Sequence, residues 1–193
     1  MLRIVTLCFF IGLCMSCSRK EKKGNLYAID SLVIAQVKFL SEKKAKLTKV
    51  TLLEGKEDKV SFTPKDSAAW TNELEIFAML DMINKPTNMG YYQADDLSDI
   101  RSNLSVKAFS TKEELPIKYL RVYYHQDISK LRKLEAEFNE LNSLYKSARM
   151  LTMEFQQMDN KVVLTSYEIA GGQKMFLGDS VQYNIKGILS ISN

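Results

Sequence analysis

Asp95-Asp96-Leu97-Ser98-Asp99 is the segment whose spacing comes nearest to a reactive site. On a helical turn, a DDxxD pattern places carboxylates on one side, the arrangement that holds Mg²⁺ and a diphosphate. The sequence offers no second acidic cluster to complete such a site. The segment is therefore expected to be the acid-rich N-terminal cap of a helix. Tyr91 and Tyr92, with Trp70 nearby in sequence, are aromatics on an expected loop, where such residues either form a binding surface or cover the end of a core. His125, beside Tyr123, Tyr124 and Asp127, is the only histidine. With no partner nucleophile in view, it reads as a strand-end residue in a turn. All three cysteines, Cys8, Cys14 and Cys17, fall in the first seventeen residues. The body therefore has no disulfide, thiol nucleophile, Cys-ligated zinc or iron–sulfur cluster. No catalytic residue, metal ligand set or cofactor is expected, and the chain is read as a non-enzyme.

Those first residues, MLRIVTLCFFIGLCMSC, address the protein. Arg3 is a positive n-region, Ile4 to Met15 an apolar h-region, and small Ser16 precedes Cys17. The apolar run is too short to cross about 30 Å of hydrocarbon, which takes roughly 20 residues. Leu13-Cys14-Met15-Ser16 before Cys17 resembles the lipobox of bacterial lipoproteins, with Cys14 standing where that family usually has Leu. Bulky Leu13 makes Cys14 the poorer acceptor. The resemblance implies that residues 1–16 are a signal peptide and that Cys17 is acylated and becomes the new N-terminus. It also implies a mature chain anchored by acyl chains such as palmitate. Ser18 after the cysteine implies the outer membrane. Arg19-Lys20-Glu21-Lys22-Lys23, in place of an acidic cluster, implies a body facing the periplasm. Residues 17–24 are read as a solvated tether.

Removing residues 1–16 from 193 leaves 177, enough for one domain with a core and little room for two, so 25–193 is expected to be a single domain. At 46% hydrophobic and 26% charged residues it is globular rather than disordered. The formal charge of +4 falls to +3 without Arg3, and no Lys/Arg face with interleaved aromatics emerges, so nucleic acid is excluded as a partner.

Apolar steps at Leu26, Ile29, Val33, Val37 and Leu40, followed by Lys43 and Lys44, predict a first helix. Leu47 to Leu53 and Val60 to Phe62, around Glu54-Gly55-Lys56-Glu57-Asp58, predict a short hairpin. Thr63-Pro64-Lys65-Asp66 predicts a helix capped at Thr63 with Pro64 first and Asp66 completing a capping box. Trp70, Leu74, Phe77 and Leu80 are its stripe, widened by Ile76, Met79 and Ile83, and Asn84-Lys85-Pro86 ends it. Thr87 to about Asn103 reads as polar and irregular. Ile117 to Tyr124 alternates with apolar residues on both faces and is expected to be a central strand. For 129–148 a helix and a hairpin compete, and two long strands fit better because no Gly or Pro would end the helix before Met150. Val163, Tyr167 and Ile169 mark a further strand, Gly171-Gly172 a tight turn with Lys174 to Leu177 returning, and Val181 to Ile191 a half-buried antiparallel strand.

The expected fold class is α+β, with two N-terminal helices packed on a curved, mainly antiparallel meander in the C-terminal half. That architecture resembles the periplasmic lipoprotein carriers and lipoprotein-docking proteins of Gram-negative envelopes. Asn142-Ser143-Leu144-Tyr145-Lys146-Ser147 and Gln173-Lys174-Met175 are similar to segments of a Bacteroidota envelope lipoprotein family that carries no known activity. The row Leu151, Met153 and Phe155 would line an open concave face, with Tyr91 and Tyr92 as further binding residues. The expected function is noncatalytic binding of an apolar ligand, such as a lipid, or of an envelope protein partner. A structural or assembly lipoprotein without a small-molecule site is the alternative.

Overall fold

The computed structural model describes residues 24–176 and 178–191, so the signal segment and Cys17 lie outside the described residues. Helix α1 spans Ile29–Glu42, and the predicted stripe Ile29, Val33, Val37 and Leu40 is buried. It ends through Lys44 at φ 48°, with the Ala45 N–H donating to the Leu40 carbonyl at 3.0 Å. Strands β1 (Lys46–Leu53) and β2 (Lys56–Phe62) form a hairpin. Its turn residues, Glu54 and Gly55, lie at φ 49° and 80°, as a two-residue turn matched to strand twist requires.

Helix α2 spans Ser67–Ala78 and runs into a 3₁₀ turn at Met79–Asn84, with a second at Met89–Tyr91. Its cap is Asp66, whose side chain accepts from the Ala69 N–H at 2.8 Å, so the helix begins three residues later than the Thr63-Pro64 reading placed it. Seven strands follow: β3 (Gln93–Asp99), β4 (Leu104–Ser110), β5 (Ile117–Tyr124), β6 (Leu131–Leu141), β7 (Tyr145–Met158), β8 (Lys161–Met175) and β9 (Ser180–Ser190). The ambiguous 129–148 segment is thus the β6–β7 hairpin.

All nine strands form one antiparallel sheet in the order β2-β1-β9-β8-β7-β6-β5-β4-β3. This overturns the expected arrangement of two N-terminal helices on a C-terminal meander. The chain remains α+β broadly, but one helix is N-terminal and the other lies mid-chain. The intervening hairpin joins the main sheet, because β1 pairs along its length with the last strand, Lys46 opposite Ser190. The sequence predicts the hairpin but not this pairing, since nothing in β1 names its distant partner. β5 is an interior strand, but the middle of the sheet is β7. Gly171 and Gly172 make no turn; β8 runs straight through them to Met175. These glycines serve close approach instead, as a Cβ on Gly171 would stand 2.4 Å from the Ala148 carbonyl oxygen.

The helices fill one face of the sheet, called here the inner face. Its core joins the two helix stripes to Leu47, Phe109, Leu120, Val122, Leu134, Phe138, Leu151, Met153, Phe155, Tyr167 and Leu189. Two polar clamps lock this layer. Near the start of β8, ahead of its pairing with β9, Gln36 of α1 accepts from the Leu164 N–H at 2.8 Å and donates to the Val162 carbonyl at 3.0 Å, satisfying backbone groups for which β9 supplies no partner. Between α2 and the sheet, Glu73 meets Lys49 Nζ at 2.6 Å and accepts from the Tyr167 hydroxyl. Burial, and then this contact with Glu73, push the Tyr167 phenol far above its ordinary value. The Tyr167 ring also stands edge-on to Phe77, with centroids 5.6 Å apart.

Candidate functional site

The side chains that sequence reasoning gathered into chemical groups are dispersed by the fold. Asp95, Asp96 and Asp99 lie on edge strand β3 rather than at a helix start. Strand alternation puts Asp95 and Asp99 on one face, roughly 13 Å apart along the strand, and Asp96 on the other. Asp96 lies 3.6 Å from Lys107 Nζ. Asp99 accepts from Ser102 Oγ at 2.5 Å and from the Arg101 N–H at 3.2 Å, and these bonds hold its carboxyl below the ordinary range. The carboxylates therefore do not converge on one ion. Among the described residues no group of three or more His, Cys, Asp or Glu side chains is placed to hold a metal.

His125 sits exposed in the β5–β6 turn, its N–H donating to the Lys130 carbonyl at 3.1 Å. Asp127 in the same turn accepts from the Ser129 N–H at 2.8 Å, and its contacts with Ser129 keep its carboxyl below the ordinary range. Tyr92 is half-buried, and its hydroxyl donates to the Ile117 carbonyl at 2.7 Å, pinning the loop to the start of β5. Burial raises its phenol to about 12. Tyr91 next to it is exposed.

Leu151, Met153 and Phe155 do share one face, but it is the face under the helices. Their exposures of 0%, 0% and 3% leave no open groove there. The row was legible as apolar; what covers it was not, because the packing partners come from α1 and α2, more than sixty residues away.

Apolar surface does gather at one end of the sheet, where two turns meet. Leu141 at the end of β6, Leu144 in the β6–β7 turn and Phe176 after β8 are 77%, 67% and 81% exposed, and Met175 beside them is 42% exposed. The turns are tied together, because the Phe176 N–H donates to the Leu144 carbonyl at 2.9 Å. Asn142 shapes the first turn: its Oδ1 accepts from the Leu144 and Tyr145 N–H groups at 2.8 and 2.9 Å. Below it, Glu140 accepts from the Tyr145 hydroxyl at 2.5 Å and from Arg149 Nη2 at 3.2 Å, and Arg149 Nε donates to Ser147 at 3.1 Å. These bonds brace the base of the rim. The bond to Glu140 also raises the Tyr145 phenol above its ordinary value. Leu141, Tyr145, Lys146, Lys174, Met175 and Phe176 surround a depression of about 330 Å³.

Lys146 and Lys174 face each other directly across β7 and β8, next to these apolar tips. Both are exposed, and neither takes part in an ion pair among the described residues. A larger groove of about 550 Å³ runs along α1 and α2, with Val33, Ile34, Val37 and Ala78 on its floor and Asp30, Lys38 and Glu42 among its walls.

No protein-family model, curated protein or solved structure matches this chain. Sequence reasoning missed the rim because leucines and a phenylalanine near turns look like core ends. The one available signal was that Leu141, Leu144 and Phe176 flank the strongest turn residues of their hairpins, Asn142 and Gly178.

Proposed function

We propose that this protein is a noncatalytic lipoprotein of the bacterial envelope, held through acylated Cys17 at the outer membrane and facing the periplasm. In this reading it works by presenting an outer surface rather than by enclosing an apolar ligand. The observation that carries the second part is the filled inner face: Leu151, Met153 and Phe155 are buried beneath α1 and α2. This favours a docking or assembly role over small-molecule carriage inside the sheet. The dispersal of Asp95, Asp96, Asp99 and His125 supports the noncatalytic part. Among the described residues no helix is long and apolar enough to cross a membrane.

Metabolic labelling with an alkyne fatty acid tests the anchor. The wild type is expected to be marked and Cys17→Ser is not; equal labelling of both overturns it. Native mass spectrometry of the purified protein, together with Met153→Glu, tests the closed interior. The expected result is no retained lipid beyond the anchor, and unfolding of Met153→Glu, because an isolated charge in a dry core is not tolerated. A folded Met153→Glu protein, or stoichiometric copurified lipid in the Cys17→Ser chain, overturns the closed interior.

A further inference from the structure

We propose that the rim formed by Leu141, Leu144, Met175 and Phe176 inserts into the headgroup region of an anionic bilayer, with Lys146 and Lys174 on the lipid phosphates. Two observations point there independently. The first is the placement of the apolar side chains. They stand at the tips of two adjacent turns, braced by the Phe176–Leu144 hydrogen bond and the Asn142 turn, so they project from the end of the sheet as one preformed wedge. Partition into a bilayer interface favours this layout: buried apolar tips beside cations at headgroup depth.

The second observation is the lysine pair. Like charges directly opposite each other on a sheet repel, and Lys146 faces Lys174 with no carboxylate in ion-pair range among the described residues. Glu140 at the end of β6 stands opposite Ser147, so strand alternation puts it on the other face from Lys146, where Arg149 and Tyr145 engage it. A phosphate between the two ammonium groups removes the repulsion.

The location suits an anchored chain, and in that respect the inference rests on the proposed lipid attachment. Leu26 is held by its N–H to Asn84 Oδ1 at 2.8 Å, in the segment that leads to Tyr92. Tyr92 is bonded to Ile117, where β5 begins at the same end of the sheet as the rim. The chain from Cys17 to Leu26 reaches at most about 30 Å when extended, which keeps this end of the body within range of the membrane.

A depth-sensitive probe in the full chain tests the inference. Cysteine is introduced as Leu144→Cys, and separately as Ile100→Cys in the exposed β3–β4 turn at the opposite end of the sheet. Each is labelled with an environment-sensitive fluorophore and reconstituted into phosphatidylethanolamine–phosphatidylglycerol vesicles carrying nitroxide lipid. The parent chain supplies the labelling background, and thermal unfolding confirms that each variant is folded. The probe at Leu144 is expected to shift to the blue and be quenched, while that at Ile100 stays in water. Adding Lys146→Gln and Lys174→Gln should lower the ratio of inserted to free probe by roughly 30-fold, as expected for two charges lost near an anionic surface.

A water-like probe at Leu144, or equal quenching at both positions, overturns the proposal. A blue shift already present without vesicles also overturns it and assigns the rim to a second copy of the chain. A shift that appears only when other envelope proteins are added assigns the rim to a protein partner. Loss of fatty-acid labelling with the Leu144 response intact removes the anchor and leaves the rim; the reverse removes the rim and leaves the anchor.

Discussion

Replacing Gly187 with alanine probes the tightest contact between the last strand and the core. A Cβ at this position would lie 2.2 Å from both Cε1 and Cζ of the Tyr167 ring. The ring has nowhere to retreat. It is 1% exposed, its hydroxyl donates to Glu73, Glu73 is held by Lys49 at 2.6 Å, and Phe77 stands against its side. Relief therefore requires β9 to move from β8 or the Glu73 contact to break. Overpacking of this kind generally costs about 1–3 kcal/mol, and with every neighbour pinned the upper end is expected. For a domain of this size, about 3 kcal/mol lowers the melting temperature by roughly 6–12 °C.

The assay is thermal unfolding of Gly187→Ala in two backgrounds, wild type and Tyr167→Leu. Tyr167→Leu is destabilising by itself, but it removes the ring atoms that collide. The alanine should then add almost nothing, leaving a coupling of about 3 kcal/mol in the double-mutant cycle. Tyr167→Phe keeps Cε1 and Cζ but frees the ring from Glu73, so it should relieve only part of the penalty. An unchanged melting temperature for Gly187→Ala, or the same penalty in both backgrounds, would refute the argument that the ring occupies the space the glycine leaves.

Three further outcomes follow from the core and its clamps. Trp70→Ala empties a fully buried site on α2 and should cost about 3–5 kcal/mol in urea unfolding; unchanged stability would mean that the stripe does not face the core. Gln36→Ala leaves the Leu164 N–H and the Val162 carbonyl without their helix partner and should cost about 1–3 kcal/mol, with faster hydrogen exchange at Leu164 than at Met153. Burial raises the phenols of Tyr27 and Tyr92 from 10.0 to about 12. Between those values the unfolded chain releases protons that the native state keeps, so stability should be level up to about pH 9 and fall as pH rises through 10 to 12. Tyr27→Phe with Tyr92→Phe should lessen that fall in urea midpoints, and the remainder belongs to Tyr167, whose phenol is raised further.

The elements that sequence reading recovered are those whose pattern is local. The 3.6-residue steps of α1 and α2 and the two-residue alternation of β5, β7 and β9 each record which side of one segment meets the core. The favoured hairpin over 129–148 agrees with β6 and β7 because neither Gly nor Pro interrupts the passage into Met150. Features that depend on a distant partner were not legible. The β1–β9 pairing joins segments more than a hundred residues apart. The double glycine of β8 resembled a turn, although neither residue has a positive φ, because neighbouring strands, not its own backbone, require it. β3 was lost among acids that make an edge strand look like a loop. At the rim, sequence named Leu144 and Met175 only within segments of family likeness, and exposure depends on what fails to cover a side chain.

The position of β9 sets an order of events during folding. Strands β3 to β8 can zip together by successive hairpins, each closing a short loop. The β1–β2 hairpin cannot join them until β9 arrives between β1 and β8, and that junction brings together residues 144 positions apart, Lys46 against Ser190. Loop-closure entropy makes such non-local pairing slow relative to local contacts. Until it forms, the first hairpin has no sheet edge to pair with, and Leu47 and Leu189 lack each other as neighbours. A chain built this way keeps an open flank until its last strand takes its place between β1 and β8.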